Sequence, residues 1–69
     1  MTKLRLLSNR EVQILRGVLA GMSNKEMAIS LGISPRTIED HRANIMKKLG
    51  AKNAADLVRI VMTAQQRAS

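Results

Sequence analysis

Ser23-Asn24-Lys25-Glu26-Met27-Ala28-Ile29-Ser30-Leu31-Gly32-Ile33-Ser34-Pro35-Arg36-Thr37-Ile38 holds two helix starts and one helix stop in a single short stretch. Ser23 with Glu26 has the capping-box spacing, in which the hydroxyl accepts from the first turn and the carboxylate reaches back to the cap. Met27, Ala28 and Leu31 give the helix that follows an apolar side of about two turns. Gly32 ends it in the left-handed conformation that glycine adopts cheaply, and Ile33 in the turn is expected to point inward. Ser34-Pro35 then starts another helix, because proline at the first helical position gives up an N–H that lacks a partner anyway. Two helices joined by so short a turn form the helix-turn-helix pattern, whose second helix enters the major groove of DNA in proteins that use it for recognition.

Outward from this stretch the same punctuation recurs. Upstream, Ser8 and Glu11 form a second capping box, and Val12, Ile14, Leu15, Val18 and Leu19 follow at helical spacing until Gly21. Met22 falls in the connection. Downstream, Ile38, Ile45 and Leu49 mark the buried stripe of the third helix, Lys47 and Lys48 suit its negative end, and Gly50 stops it. Asn53 caps a fourth helix running to about residue 66, with Ala54, Leu57, Ile60, Val61 and Ala64 on one side. No strand-like alternation, repeat or low-complexity tract appears. The expectation is an all-α, compact four-helix domain with a central helix-turn-helix made by the second and third helices. A basic arm at 1–7, the domain at 8–66 and a tail at 67–69 complete the division.

Composition narrows the function. The 69 residues allow one domain, and a domain this small buries only about 60% of the surface its unfolded chain exposes. Without cysteine there is no disulfide staple and no thiolate zinc site, a usage that fits a reducing cytoplasm. Without Phe, Trp or Tyr there are no platforms for base stacking, which argues against single-strand binders. Hydrophobic residues make up 45%, too many for disorder, and no apolar run approaches a membrane span or signal peptide. Twelve Lys and Arg against five Asp and Glu leave a net charge of +7. That excess calls for an anionic partner, nucleic acid before an acidic membrane or protein.

The faces of the third helix separate at about 100° per residue. Arg36, Asp40, Ala43 and Lys47 lie opposite the buried stripe, with Glu39 and Asn44 on the flanks. Arg36, Glu39, Asp40 and Ala43 are the candidate base-facing residues. Two readings of Glu39 and Asp40 stand: carboxylates accept from the N4 amino group of cytosine, or they complement the helix dipole and stay in solvent. The candidate phosphate contacts are Asn24 and Lys25 at the start of the second helix, then Thr37, Arg42, Asn44, Lys47 and Lys48. Singly, each of these cations reads equally well as an ordinary solvated side chain.

Leu7-Ser8-x-Arg10-Glu11, Gly21-x-Ser23-Asn24-Lys25-Glu26-Met27-Ala28 and Leu31-x-Ile33-Ser34-x-x-Thr37-Ile38-x-x-His41-x-x-Asn44-Ile45-x-x-Lys48-Leu49 together resemble the LuxR/FixJ/GerE-type DNA-binding domain. The segment from Ser34 through Asn44 looks most like the FixJ branch of response regulators. The resemblance spans residues 7 to about 62. It implies a bacterial transcription regulator that binds duplex DNA through a recognition helix at about 35–49 and dimerises on DNA through its fourth helix. Many members carry Lys where this chain has Glu39, so its operator preference does not transfer from them. Ala55, Val58 and Met62 lie off the core stripe of the fourth helix and are the candidate dimer face. Scattered surface hydrophobes are also ordinary. Double-stranded DNA, a second copy and RNA polymerase are the implied partners, along with a receiver or sensor domain if the chain is an effector domain rather than a stand-alone regulator of the GerE kind. The implied location is the cytoplasm.

No catalytic chemistry is legible. His41 is the single histidine, Cys is absent, and neither a Walker loop, a nucleophile elbow nor a dinucleotide fingerprint occurs. His41 sits at the edge of the buried stripe, where packing or a phosphate contact is its expected role. No metal and no cofactor is expected. The competing function is a basic helical interaction module that binds an acidic protein or a polymerase subunit.

Overall fold

In the computed structural model, which describes residues 3–68 and side chains over 5–64, every helix begins at a polar cap supplied from the adjacent sequence. A 3-10 turn at Lys3–Leu6 leads into α1 (Asn9–Leu19), α2 (Asn24–Leu31), α3 (Pro35–Leu49) and α4 (Ala54–Ala68). No strand occurs among the described residues, and none of their helices is long and apolar enough to cross a membrane. The all-α, four-helix reading therefore stands. Both capping boxes form: Ser8 Oγ accepts from Glu11 N–H at 3.2 Å, and Ser23 Oγ accepts from Glu26 N–H at 3.1 Å. The two glutamates answer at 2.8 Å, each accepting from its serine's N–H. Ser34 caps α3 through the Thr37 N–H at 3.1 Å, with Pro35 in the first turn. Asn53 caps α4 through the Asp56 N–H at 2.8 Å.

The three interior helix ends share one construction. Met22 N–H donates to Gly17 C=O, Ile33 N–H to Ala28 C=O, and Ala51 N–H to Met46 C=O, at 2.9, 3.0 and 2.9 Å. This bond reverses the chain around one left-handed residue and folds the next side chain back onto the helix. Gly32, at φ +69°, takes that conformation between α2 and α3, where a Cβ would be strained. Met22, Ile33 and Ala51 follow the glycines and pack half-buried on the core. The inward orientation of Ile33 thus comes from the helix stop itself.

The core draws from all four helices: Ile14 and Leu15, Met27 and Ala28, Ile38, Ile45 and Leu49, Leu57 and Val61. The third helix lies at the centre and packs on α1, α2, α4 and the 3-10 turn. Ile14, which only widens the stripe in sequence, is fully buried, while Val12 is half-buried. The segment before Ser8 shows no periodicity in sequence yet forms the 3-10 turn, and α4 continues two residues beyond the expected end near 66. Of the expected arm and tail, residues 1, 2 and 69 lie outside the described residues.

One close approach has no counterpart in the periodicity. Gly17 is buried in α1, and a Cβ there would stand 2.5 Å from Met27 Sδ and 2.9 Å from Met27 Cγ. Glycine inside a helix costs about 0.5–1 kcal/mol relative to alanine, so its presence marks the contact it permits. Met27 is itself buried, and its Cγ and Sδ must shift to admit a Cβ at residue 17. Gly17→Val is expected to remove about 1–3 kcal/mol of stability by overpacking. Thermal unfolding followed by circular dichroism should fall by about 4–8 °C for each kcal/mol lost. An unchanged midpoint would mean that α1 and α2 separate without cost.

Candidate nucleic-acid interface

The outer face of α3 is built by exclusion. Ile38, Ile45 and Leu49 are buried, so the helix must turn Arg36, Glu39, Asp40, Ala43 and Lys47 to solvent, and all five are exposed. Arg36 Nε lies 3.5 Å from Asp40 Oδ1, one helical turn away. Glu39 has no partner among the described residues, and Ala43 in the middle leaves room for close approach. Asn44 is exposed beside them; Thr37, His41 and Arg42 are half-buried at the margins. Thr37 Oγ1 is 2.9 Å from Ser34 Oγ, so its hydroxyl belongs to the cap of α3. The four candidate base-facing residues share one surface.

The candidate phosphate contacts are spread around that surface and differ in how firmly they are held. Lys25 and Lys47 are exposed and have no ion-pair partner among the described residues. Arg42 Nη1 donates to Asn24 Oδ1 at 2.8 Å, joining the middle of α3 to the start of α2. Lys48 is the most committed of the set: its Nζ donates to Glu11 Oε1 at 2.6 Å and to Leu6 C=O at 3.2 Å. Any phosphate reaching Lys48 shares it with these two acceptors. Neither link is legible in sequence, because the partners are 18 and 37 residues apart and local spacing carries no such signal.

Among the described residues Glu11 is the buried charge, its side chain 5% exposed against 38% for Lys48. The Lys48 ammonium first, then the Ser8 N–H, hold its carboxyl below the ordinary 4.5, against the opposing effect of desolvation. Glu26 is likewise lowered, by the Ser23 N–H and hydroxyl. Asp56 is lowered by the Lys52 N–H and then by Arg59, whose Nη2 lies 2.6 Å from Asp56 Oδ1. On α4, Ala55, Val58 and Met62 all reach solvent, Val58 at 36% and Met62 at 49% exposure. Their spacing puts them on one face. Among the described residues no group of His, Cys, Asp or Glu could hold a metal ion.

A short helix, a glycine turn and a longer helix with a polar outer face define a helix-turn-helix domain. The model of the luxR family of bacterial regulatory proteins, also called GerE, matches residues 5–61, and the chain belongs to that family. It is 52% identical over 60 residues to the transcriptional regulatory protein FixJ of Rhizobium meliloti, covering 87% of this chain and 29% of FixJ. It is 48% identical over 66 residues to the transcriptional regulatory protein TdiR of Thauera aromatica, covering 96% of this chain and 29% of TdiR. The crystal structure of full-length FixJ from B. japonicum superposes with a TM-score of 0.84 at 47% identity, covering 93% of this chain and 32% of that one. The chain thus spans under a third of the length of these relatives. This is a LuxR-type domain of transcriptional regulators, a family without enzymatic members among these relatives.

The depressed carboxyls set an acid limit. A carboxyl whose folded value lies below its unfolded value contributes stability in full above the unfolded value and loses it as pH falls through the folded one. For Glu11 that contribution is complete above about 4.5 and drains below it. Lys48→Met strips the ammonium from a nearly buried carboxylate and is expected to cost about 1–3 kcal/mol at neutral pH. Urea midpoints measured on the acid side of 4.5 should then fall less steeply than in the parent, with Glu26 and Asp56 supplying the remaining slope. Parallel pH profiles in parent and variant would remove Lys48 as the cause.

Proposed function

We propose that this domain binds specific sequences in double-stranded DNA, with α3 in the major groove, and regulates bacterial transcription. The observation that carries this reading is the outer face of α3: five exposed side chains, four polar or charged and one small, presented by a helix whose other side is locked into the core. Arg36 donates to guanine, Glu39 and Asp40 accept from cytosine N4, and Ala43 admits the helix to the groove. Lys25, Thr37, Arg42, Asn44, Lys47 and Lys48, with Asn24 beside Arg42, set the register on the phosphates. Membership in a family of regulators and the net charge of +7 support the choice of DNA as the anion.

Two copies pair on DNA through Ala55, Val58 and Met62, the exposed apolar stripe of α4. An isologous contact of this kind uses the same patch on both copies and makes the operator a two-fold sequence. The domain would act in the cytoplasm on the nucleoid, with RNA polymerase as the machinery it influences and a receiver or sensor domain as the source of its signal.

Selection from a random duplex library at near-physiological salt tests the reading. Enrichment of an inverted repeat with half-sites about 10 base pairs apart is expected. A pool that binds without converging would replace it with a basic module for an acidic protein. Two variants separate the roles within the site. Glu39→Lys should change the selected base at one position of each half-site, by about 1–3 kcal/mol of discrimination. Lys25→Ala should weaken all duplexes alike and reduce the salt slope by about one unit. An unaltered consensus for the first, or an unaltered slope for the second, removes that residue from its assigned role.

A further inference from the structure

Asn24 and Arg42 stand apart from the other candidate phosphate contacts because they touch each other. Arg42 Nη1 donates to Asn24 Oδ1 at 2.8 Å across the helix-turn-helix, and both side chains are half-buried. The acceptor is a neutral amide. A carboxylate in its place would orient the guanidinium equally well but cancel its charge, whereas an amide fixes direction and leaves the cation whole. The hydrogen bond occupies one N–H of the five on the guanidinium fork, and the others remain for an anion.

The chemistry of the two residues is therefore unequal. The amide oxygen of Asn24 accepts from Arg42, and only its amino group is left to donate to a phosphate. Arg42 carries the charge that a phosphate would meet, and four flexible bonds that must be frozen before it meets one. A long side chain ordered in advance costs less on binding than one ordered by the ligand. We infer that Asn24 is a positioning residue, acting on DNA affinity by holding the Arg42 guanidinium at the margin of α3 rather than by contacting the backbone on its own account. This rests on the DNA-binding reading above and sharpens it at one contact. It also ties the start of α2 to the recognition helix at the point where both approach the duplex.

A double-mutant cycle tests the inference, using Asn24→Ala, Arg42→Ala and the double variant against the selected duplex and an unrelated duplex of equal length. Arg42→Ala should weaken both duplexes and lower the salt slope by about one unit, the mark of a lost phosphate contact. Asn24→Ala should weaken both by about 2- to 10-fold, the cost of ordering one free side chain, with the salt slope unchanged because no charge is lost. In the Arg42→Ala background the Asn24 substitution should have no further effect. Additive losses would mean that Asn24 meets the phosphate itself, and normal affinity in Asn24→Ala would mean that the bond serves only the fold; either overturns the inference. Thermal midpoints measured on each variant identify any loss that comes from unfolding. Arg42→Gln, which keeps part of the stem and loses the charge, supplies a second background and should give the same cycle. A parent chain that selects no consensus would sink the DNA reading itself, and a parent with a consensus but an additive cycle would sink the positioning role alone.

Discussion

A single carboxylate, Glu11, closes the fold at both ends of its argument. It accepts from the Ser8 N–H at 2.8 Å, completing the start of α1, and from Lys48 Nζ at 2.6 Å, in the last turn of α3. Taking a carboxylate out of water costs several kcal/mol unless its lone pairs are met, and here an N–H and an ammonium meet them. The same ammonium donates to Leu6 C=O, so the 3-10 turn is drawn into the arrangement as well. The direction of α3 relative to α1 is therefore set by a charged contact with defined geometry in addition to apolar packing.

Legibility in the sequence followed distance along the chain. Caps and stops operate over three to five residues, so Ser8 with Glu11, Ser23 with Glu26, Ser34-Pro35, and the glycines at 21, 32 and 50 announced the helices and the turn between α2 and α3. Periodicity named most of the core because one face of each helix is buried. Ile14, which widens the stripe of α1, is buried with the rest of it. Gly17 was invisible, since a glycine in a helical run has no local meaning until Met27 is seen against it. The 3-10 turn before Ser8 depends on a carbonyl held by Lys48, far along the chain. On the interface side, the outer face of α3 was legible as the complement of the buried stripe. The pairing of Asn24 with Arg42 was not, since it requires the crossing of two helices.

The distribution of charge follows from the same economy. Of the five acidic residues, Glu11, Glu26 and Asp56 occupy the third position of α1, α2 and α4, where they cap backbone N–H groups and meet the positive end of the helix dipole. Their negative charge is spent inside the protein's own architecture. Among the described residues Lys48 pairs with Glu11, Arg59 with Asp56 and Arg36 with Asp40, while Arg42 bonds to a neutral amide, and the chain keeps a net charge of +7. The basic surface is thus partly a by-product of how the helices are started.

Glu39 departs from that pattern. It lies beyond the first turn of α3, exposed, and among the described residues it is the carboxylate with no hydrogen-bond or ion-pair partner. Asp40, next to it, is offset by Arg36. An unpaired negative charge on the surface that approaches phosphates raises the free energy of every complex in which it finds no donor. Specificity is a difference of affinities, and a repulsive group contributes to it as effectively as an attractive one. On the DNA-binding reading, Glu39 penalises the many duplex sites that offer no amino group and is relieved where a cytosine N4 donates to it. A lysine in its place would add affinity everywhere and discrimination only at guanine. On that reading, the acidic residue that looks least suited to a DNA surface would add to the discrimination between sequences.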